Sequence, residues 1–170
     1  MSNSEKLSRA QEYSLVQEDL KKFINDKWES SNIERFPGPQ PVSIEKKHIR
    51  LLSQNRYMVC EKTDGVRNFL VCFTDSQNRK ICALVNRSFD YTLYPLTVPR
   101  DTLLDGELIG NTFMIHDAVC IQGKDLRQNN LIERLTHARA VAKAILPIKQ
   151  IRVVCKTMFP YNEMEKLILD

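Results

Sequence analysis

The sequence predicts an α+β fold, a mostly antiparallel sheet flanked by helices, and three observations predict it. Apolar residues recur at three- and four-residue spacing from Ser8 to Trp28 and again from Leu126 to Leu146, the period of a helix with one buried face. Between residues 57 and 121 the pattern changes to short runs rich in Val, Ile, Phe and Leu, separated by turn formers, which read as strands. The order is therefore helix, several strands, helix, strand, without the strand–helix alternation of a parallel sheet.

In chain order, the first helix carries Leu15, Val16, Leu20, Phe23, Ile24 and Trp28 as its apolar face. The stretch FPGPQPVSIE (Phe36 to Glu45) follows as a link, since Pro37, Pro39 and Pro41 exclude both helix and central strand. Five strands are expected: YMVCE, NFLVCF, KICALVN, TLLDGELI and TFMIHDAVCI. Ser76-Gln77-Asn78 closes one hairpin, and Gly110-Asn111 closes a tight one, both residues tolerating positive φ. The second helix shows Leu131, Leu135, Ala138, Ala142 and Ile145 on its apolar stripe, leaves Glu133, Arg134, Arg139 and Lys143 outside it, and stops at Pro147. A final strand, IRVVCK, leads through Phe159-Pro160 to a short helix, NEMEKLILD. The organisation read from this is an amphipathic helix and lead-in over 1–35, then one domain portion over 36–170.

A hydrophobic content of 42% with 27% charged residues describes a globular chain able to bury a core. No run approaches the ~20 apolar residues of a membrane span, and MSNSEKLSRAQEY lacks the apolar core of a signal peptide. The expectation is an intracellular protein without a membrane partner. Cys60, Cys72, Cys82, Cys120 and Cys155 form no CxxC pair, so buried reduced thiols are expected and not a zinc site. A net charge of +4 is compatible with phosphate-bearing ligands.

The stretch MVCEKTDGVRNFL (58–70) raises the chemical question. It interrupts an apolar run with a lysine between two acids, on a glycine-containing turn at a strand end. A lysine there presents its amine at a fixed place, but nucleophilic attack needs it neutral, against an ordinary pKa of ~10.4. Desolvation and nearby cations lower that value, and Arg67, Arg87 and a bound metal are the candidate cations here. Asp64 acts oppositely and is expected to bond the turn or orient the lysine. Read from the residues alone, a plain surface lysine in a hairpin turn is the favoured reading.

KTDGVR (Lys62 to Arg67) resembles the KxDGxR signature of the covalent nucleotidyltransferases: mRNA capping guanylyltransferases, DNA ligases and RNA ligases. Threonine after the lysine resembles the capping branch. FPGPQPVSIE is similar to the PGxxPVS segment of capping enzymes, and Asn86-Arg87 to their "DR" element with asparagine replacing aspartate. TLLDGELI is close to their third motif; FMIHDAV with LIERL, and VVCKTMFPY, resemble later segments. The resemblance covers roughly residues 36 to 170.

It implies a partial nucleotidyltransferase domain of the ATP-grasp-like ligase/capping type, with the OB-fold domain and the later motifs absent. It implies that Lys62 attacks the α-phosphorus of GTP, keeps GMP as a phosphoramidate and passes it to the diphosphate 5′ end of nascent mRNA, with Mg2+ or Mn2+. Arg67, Arg87, Asp105, Gly106, Glu107 and His116 are implied as nucleotide-binding, and Glu107 also as a metal contact. In strict alternation Asp105 and Glu107 share one strand face and can both point at a ligand; Asp105 could equally cap the strand turn. His116 stands where the family carries a guanine-stacking Tyr or Phe, and a core histidine is the other reading. Phe113 is read as core. Asp117 supports a metal or the sheet, and Lys156 is a late-strand lysine or a surface one. A chain without the later motifs is expected to guanylylate poorly on its own. RNA polymerase or other capping subunits are the expected partners, in the nucleus for a cellular enzyme and in the cytoplasm or virion for a viral one. The alternatives are an ATP-dependent polynucleotide ligase and an inactive nucleotide-binding or scaffold module.

Overall fold

A computed structural model describes residues 7–167. The elements in order are α1 (Arg9–Trp28), a 3-10 turn (Lys46–His48) running into α2 (Ile49–Gln54), β1 (Met58–Val59), β2 (Val66–Thr74), β3 (Lys80–Asn86), β4 (Tyr91–Leu93), β5 (Thr102–Ile109), β6 (Thr112–Ile121), β7 (Lys124–Asp125), α3 (Leu131–Ala144), β8 (Arg152–Cys155), β9 (Phe159–Pro160) and a 3-10 segment (Tyr161–Leu167). The last three residues of the expected NEMEKLILD helix lie outside the described residues. The chain divides into two compact units. One holds the chain up to Pro37 together with Gly65–Cys155; the other holds Gly38–Asp64 and the chain from Lys156 on.

The first unit is built on a seven-stranded sheet in the order β4-β3-β2-β5-β6-β7, with β8 added to β6. Every pairing is antiparallel except β6 with β8. Helix α1 starts with a capping box: Gln11 N–H donates to Ser8 Oγ at 3.2 Å and Ser8 N–H to Gln11 Oε1 at 2.8 Å. It ends at Glu29, whose φ of 53° lets its N–H reach back to the last turn. Val16, Leu20 and Ile24 of α1 are buried with Phe69, Val71 and Phe73, the alternate residues of β2. Their neighbours Leu70 and Cys72 point the other way and join Ala138 and Val141 of α3. One helix on each face of one sheet explains why β2 is buried continuously rather than in alternation.

Some boundaries differ from the sequence expectation. Asn130 accepts the Glu133 N–H at 3.0 Å, so α3 begins there and not at Leu126, which is buried beside the sheet. In the β5–β6 hairpin Gly110 takes a φ of 57°, whereas Asn111 does not enter the positive region. YMVCE shrinks to the two residues of β1, which pair with β9 in a separate ribbon of the second unit. Cys72, Cys82 and Cys120 are buried thiols as expected, but Cys60 is exposed.

Gly106 is a packing requirement. A Cβ there would lie 2.5 Å from the Met114 carbonyl oxygen and 2.7 Å from the Phe113 ring, beside a break in β5–β6 register. Gly106→Ala should therefore cost about 1–3 kcal/mol of stability, as overpacking against backbone does. Chemical denaturation checks it, and an unchanged midpoint would show that the strands shift freely.

Candidate active site

In the first unit three of the expected residues meet. Arg67 opens β2 and lies opposite Glu107 of β5, one residue pair away from Asn68–Gly106. Its guanidinium reaches diagonally to Asp105, Nε donating at 3.1 Å to Oδ1 and Nη2 at 2.7 Å to Oδ2. His116 Nε2 approaches the same Asp105 Oδ1 at 3.2 Å. That approach is possible because β6 bulges: Asp105 pairs with Asp117 and Gly106 with Ile115, so His116 falls between. Asp105 is only 2% exposed. Its carboxylate is engaged by Arg67 and His116, while Glu107, two residues on along β5, is half-buried.

Burial would raise the Asp105 pKa, but the hydrogen bonds from His116 and Arg67 outweigh it and hold the carboxyl below its ordinary value. A group with a depressed folded pKa stabilises the fold above its unfolded value of ~3.9, and that contribution fades as pH falls through the lower folded value. The stability gap between the wild type and Asp105→Asn should thus be full at neutral pH and shrink below about pH 4. Melting curves from pH 7 to 2 measure it.

Arg67 is also held from above. Its guanidinium carbon lies 5.6 Å from the Phe36 ring centroid and 5.7 Å from that of Phe69, and the two rings stack at 4.2 Å. Phe36 was legible only as the first residue of the proline-rich link. Arg87 sits in the exposed turn after β3, which leaves the sheet opposite Asn68, at the end where Arg67 lies. The turn is built by Asn86, whose Oδ1 accepts from Ser88 N–H at 2.9 Å and Asp90 N–H at 3.0 Å. Asparagine in place of the family aspartate thus folds the loop that presents Arg87.

Two neighbours have structural roles. Asp117 is gripped by Arg134 of α3 at 2.7 and 3.0 Å, so it ties helix to sheet. Arg134, expected among the outward residues, is the missed half of that pair. Phe113 is fully buried, as core.

In the second unit Lys62 pairs with Asp64 at 2.6 Å, and both side chains are highly exposed, 87% for the lysine. Lys62 holds the Asp64 carboxyl below its usual value. Asp64 therefore orients the lysine, but the expected desolvation of the amine is not provided by the packing around it. The next residue, Thr63, accepts from the Lys156 ammonium at 2.9 Å. Lys156 is 9% exposed, so the surface reading is corrected. Among the described residues no group of three His, Cys, Asp or Glu forms a metal cage. Magnesium carried on substrate phosphates needs only one or two protein carboxylates, and Glu107 fits that lesser demand.

The description "mRNA capping enzyme, catalytic domain" matches residues 4–167. The mRNA-capping enzyme subunit alpha of Neurospora crassa is 32% identical over 129 residues, covering 62% of this chain and 32% of that protein. Its Schizosaccharomyces pombe counterpart is 39% identical over 88 residues, covering 44% and 22%. The mRNA-capping enzyme of Danio rerio is 31% identical over 124 residues, covering 64% and 20%. The chain thus spans a third or less of the length of these relatives. Over nearly all of its own length, it belongs to the mRNA capping enzyme catalytic-domain family.

Proposed function

We propose that the chain is the part of an mRNA 5′-capping guanylyltransferase that carries its nucleophile. The observation that supports this most is Lys62 in KTDGVR within a family match over 4–167, four residues before the start of the β2 strand that carries the anchored Arg67. In the first step the Lys62 amine, having lost a proton to solvent, forms a P–N bond to the α-phosphorus of GTP, and the bond to pyrophosphate breaks. In the second, a terminal oxygen of an RNA 5′-diphosphate takes the GMP, and the P–N bond breaks as the amine regains a proton. Splitting the transfer lets each step position a single incoming group.

Arg67 and Arg87 are assigned to the nucleotide's phosphates and ribose, where fixed cations offset developing charge. Asp105 acts through Arg67, and Gly106 lets the strands close beneath it. Glu107 is assigned to the ribose and to the Mg2+ or Mn2+ that arrives with the triphosphate and neutralises its charge. His116 is held edge-on by Asp105 and offers a smaller stacking face than a Tyr or Phe. Because several relatives are named as subunits, a second capping subunit or RNA polymerase is the proposed partner, in the nucleus. The ligase reading has no support among the relatives cited.

The test is incubation with α-labelled GTP and Mg2+, denaturation, and mapping of the label by mass spectrometry. The low level of GMP adduct that this chain forms is expected on Lys62, from GTP and not ATP; an adduct on another residue, or from ATP alone, overturns the reading.

A further inference from the structure

We propose that the second unit carries a docking surface for single-stranded RNA, made of Lys46, Lys47, Arg50 and Arg56 with Tyr57 and Tyr161. The choice of RNA rests on the capping reading above; the surface itself rests on its own features. Lys46, Lys47 and Arg50 lie in the continuous helical segment from Lys46 to Gln54, at spacings of three and four that place them on one side. All three are exposed, as is Arg56 just beyond. Between Lys46 and Arg56 there is no acidic residue; Glu45, at the edge, pairs with Lys47 at 2.9 Å. A merely solvated helix mixes both signs, whereas a run of one sign is what polyanions recognise.

Charge alone would suit an acidic peptide equally well, and the aromatic rings decide for RNA. Tyr57 directly follows Arg56 and is 40% exposed; Tyr161 is 39% exposed, and its N–H donates to the Tyr57 carbonyl at 2.9 Å. Two exposed rings beside a basic track are the parts that bind unpaired nucleotides: cations follow the phosphates, and bases stack on the rings. No apolar side chain of this unit is buried among the described residues, so the tyrosines are not the rim of a local core. The surface also leads to the chemistry. Tyr57 is five residues from Lys62, at most ~17 Å of extended chain, so an RNA held here places its 5′ end within a few nucleotides of the amine.

Four phosphate contacts predict a slope of about −3 in log K against log salt, and so roughly fiftyfold weaker binding at 200 than at 50 mM salt. The probe is a short unstructured RNA with a 5′-diphosphate, followed by fluorescence anisotropy on the whole chain. Replacing all four basic residues by Gln should flatten the slope and weaken binding more than tenfold, while labelling of Lys62 by GTP is unchanged. Tyr57→Ala and Tyr161→Ala should each weaken binding severalfold with the slope kept, and they serve if the fourfold variant does not fold. Wild-type RNA affinity and slope in these variants, or tighter binding of an acidic peptide than of RNA at the same residues, overturns the proposal. Labelling at Lys62 with RNA binding indifferent to these residues sinks the surface alone. Salt-sensitive RNA binding through them with the label on another residue, or from ATP alone, keeps the surface and sinks the covalent reading.

Discussion

Lys62→Ala should lower covalent guanylylation at least about a thousandfold, since loss of the nucleophile removes the step itself and not a contribution to it. Lys62→Arg should be as inactive. Its guanidinium keeps the positive charge and can still pair with Asp64, but it stays protonated at any working pH and cannot attack phosphorus. The pair of variants separates chemistry from charge: both lose the adduct, while Lys62→Arg keeps GTP binding. The measurement is acid-labile, alkali-stable label retained after denaturation, as a ratio to wild type. A label persisting in either variant would remove Lys62 from the mechanism. Weak labelling of the wild-type chain at saturating GTP matches the low activity expected without the later motifs, and a GTP titration then tells a nucleotide-binding module from an inert one. Asp64 enters here because its carboxylate lies 2.6 Å from the amine and orients it. Asp64→Asn should therefore label severalfold more slowly than wild type, and an unchanged or faster rate would show that the pair does not position the amine.

The largest effect on stability is expected at Asp105. Its side chain is 3% exposed and that of Arg67 11%, so the pair is dry. Removing one partner of a buried pair leaves an uncompensated charge, costing about 3–5 kcal/mol. For a chain of this size that is a fall in melting temperature of roughly 6–20 °C. Asp105→Asn should show it in a thermal melt. Arg67→Met combined with Asp105→Leu should recover much of the loss, because two apolar side chains of similar volume tolerate the site that a lone charge does not. A drop of under about 2 °C in Asp105→Asn would show that the pair contributes nothing measurable. The double variant should regain stability and not GTP labelling, which separates holding the fold from holding the nucleotide.

Much of this was legible in the sequence because the signals are local. The 3.6-residue period of α1 and the apolar, β-branched runs of β2 and β3 are written within a few residues of one another. The family was legible through KTDGVR and TLLDGELI, which are contiguous words. Partnerships across distance were not. Nothing near Arg134 in the chain names Asp117, and nothing near Phe36 names Arg67; each contact exists only after the sheet has formed. The contact of His116 with Asp105 was not legible, because the bulge that brings His116 to it lies in β6 and has no local signal. The short elements β4, β7 and α2 carry too few residues to show a period.

The bond between Thr63 and Lys156 joins residues 93 positions apart. During synthesis at 5–20 residues per second, the lysine at position 62 is therefore added to the chain roughly 5–19 s before the residue that fastens its neighbour. In that interval the sheet-forming segment is made. The reactive segment is thus among the last parts to be locked, and a nascent chain stalled before residue 156 would carry a complete signature without a finished site.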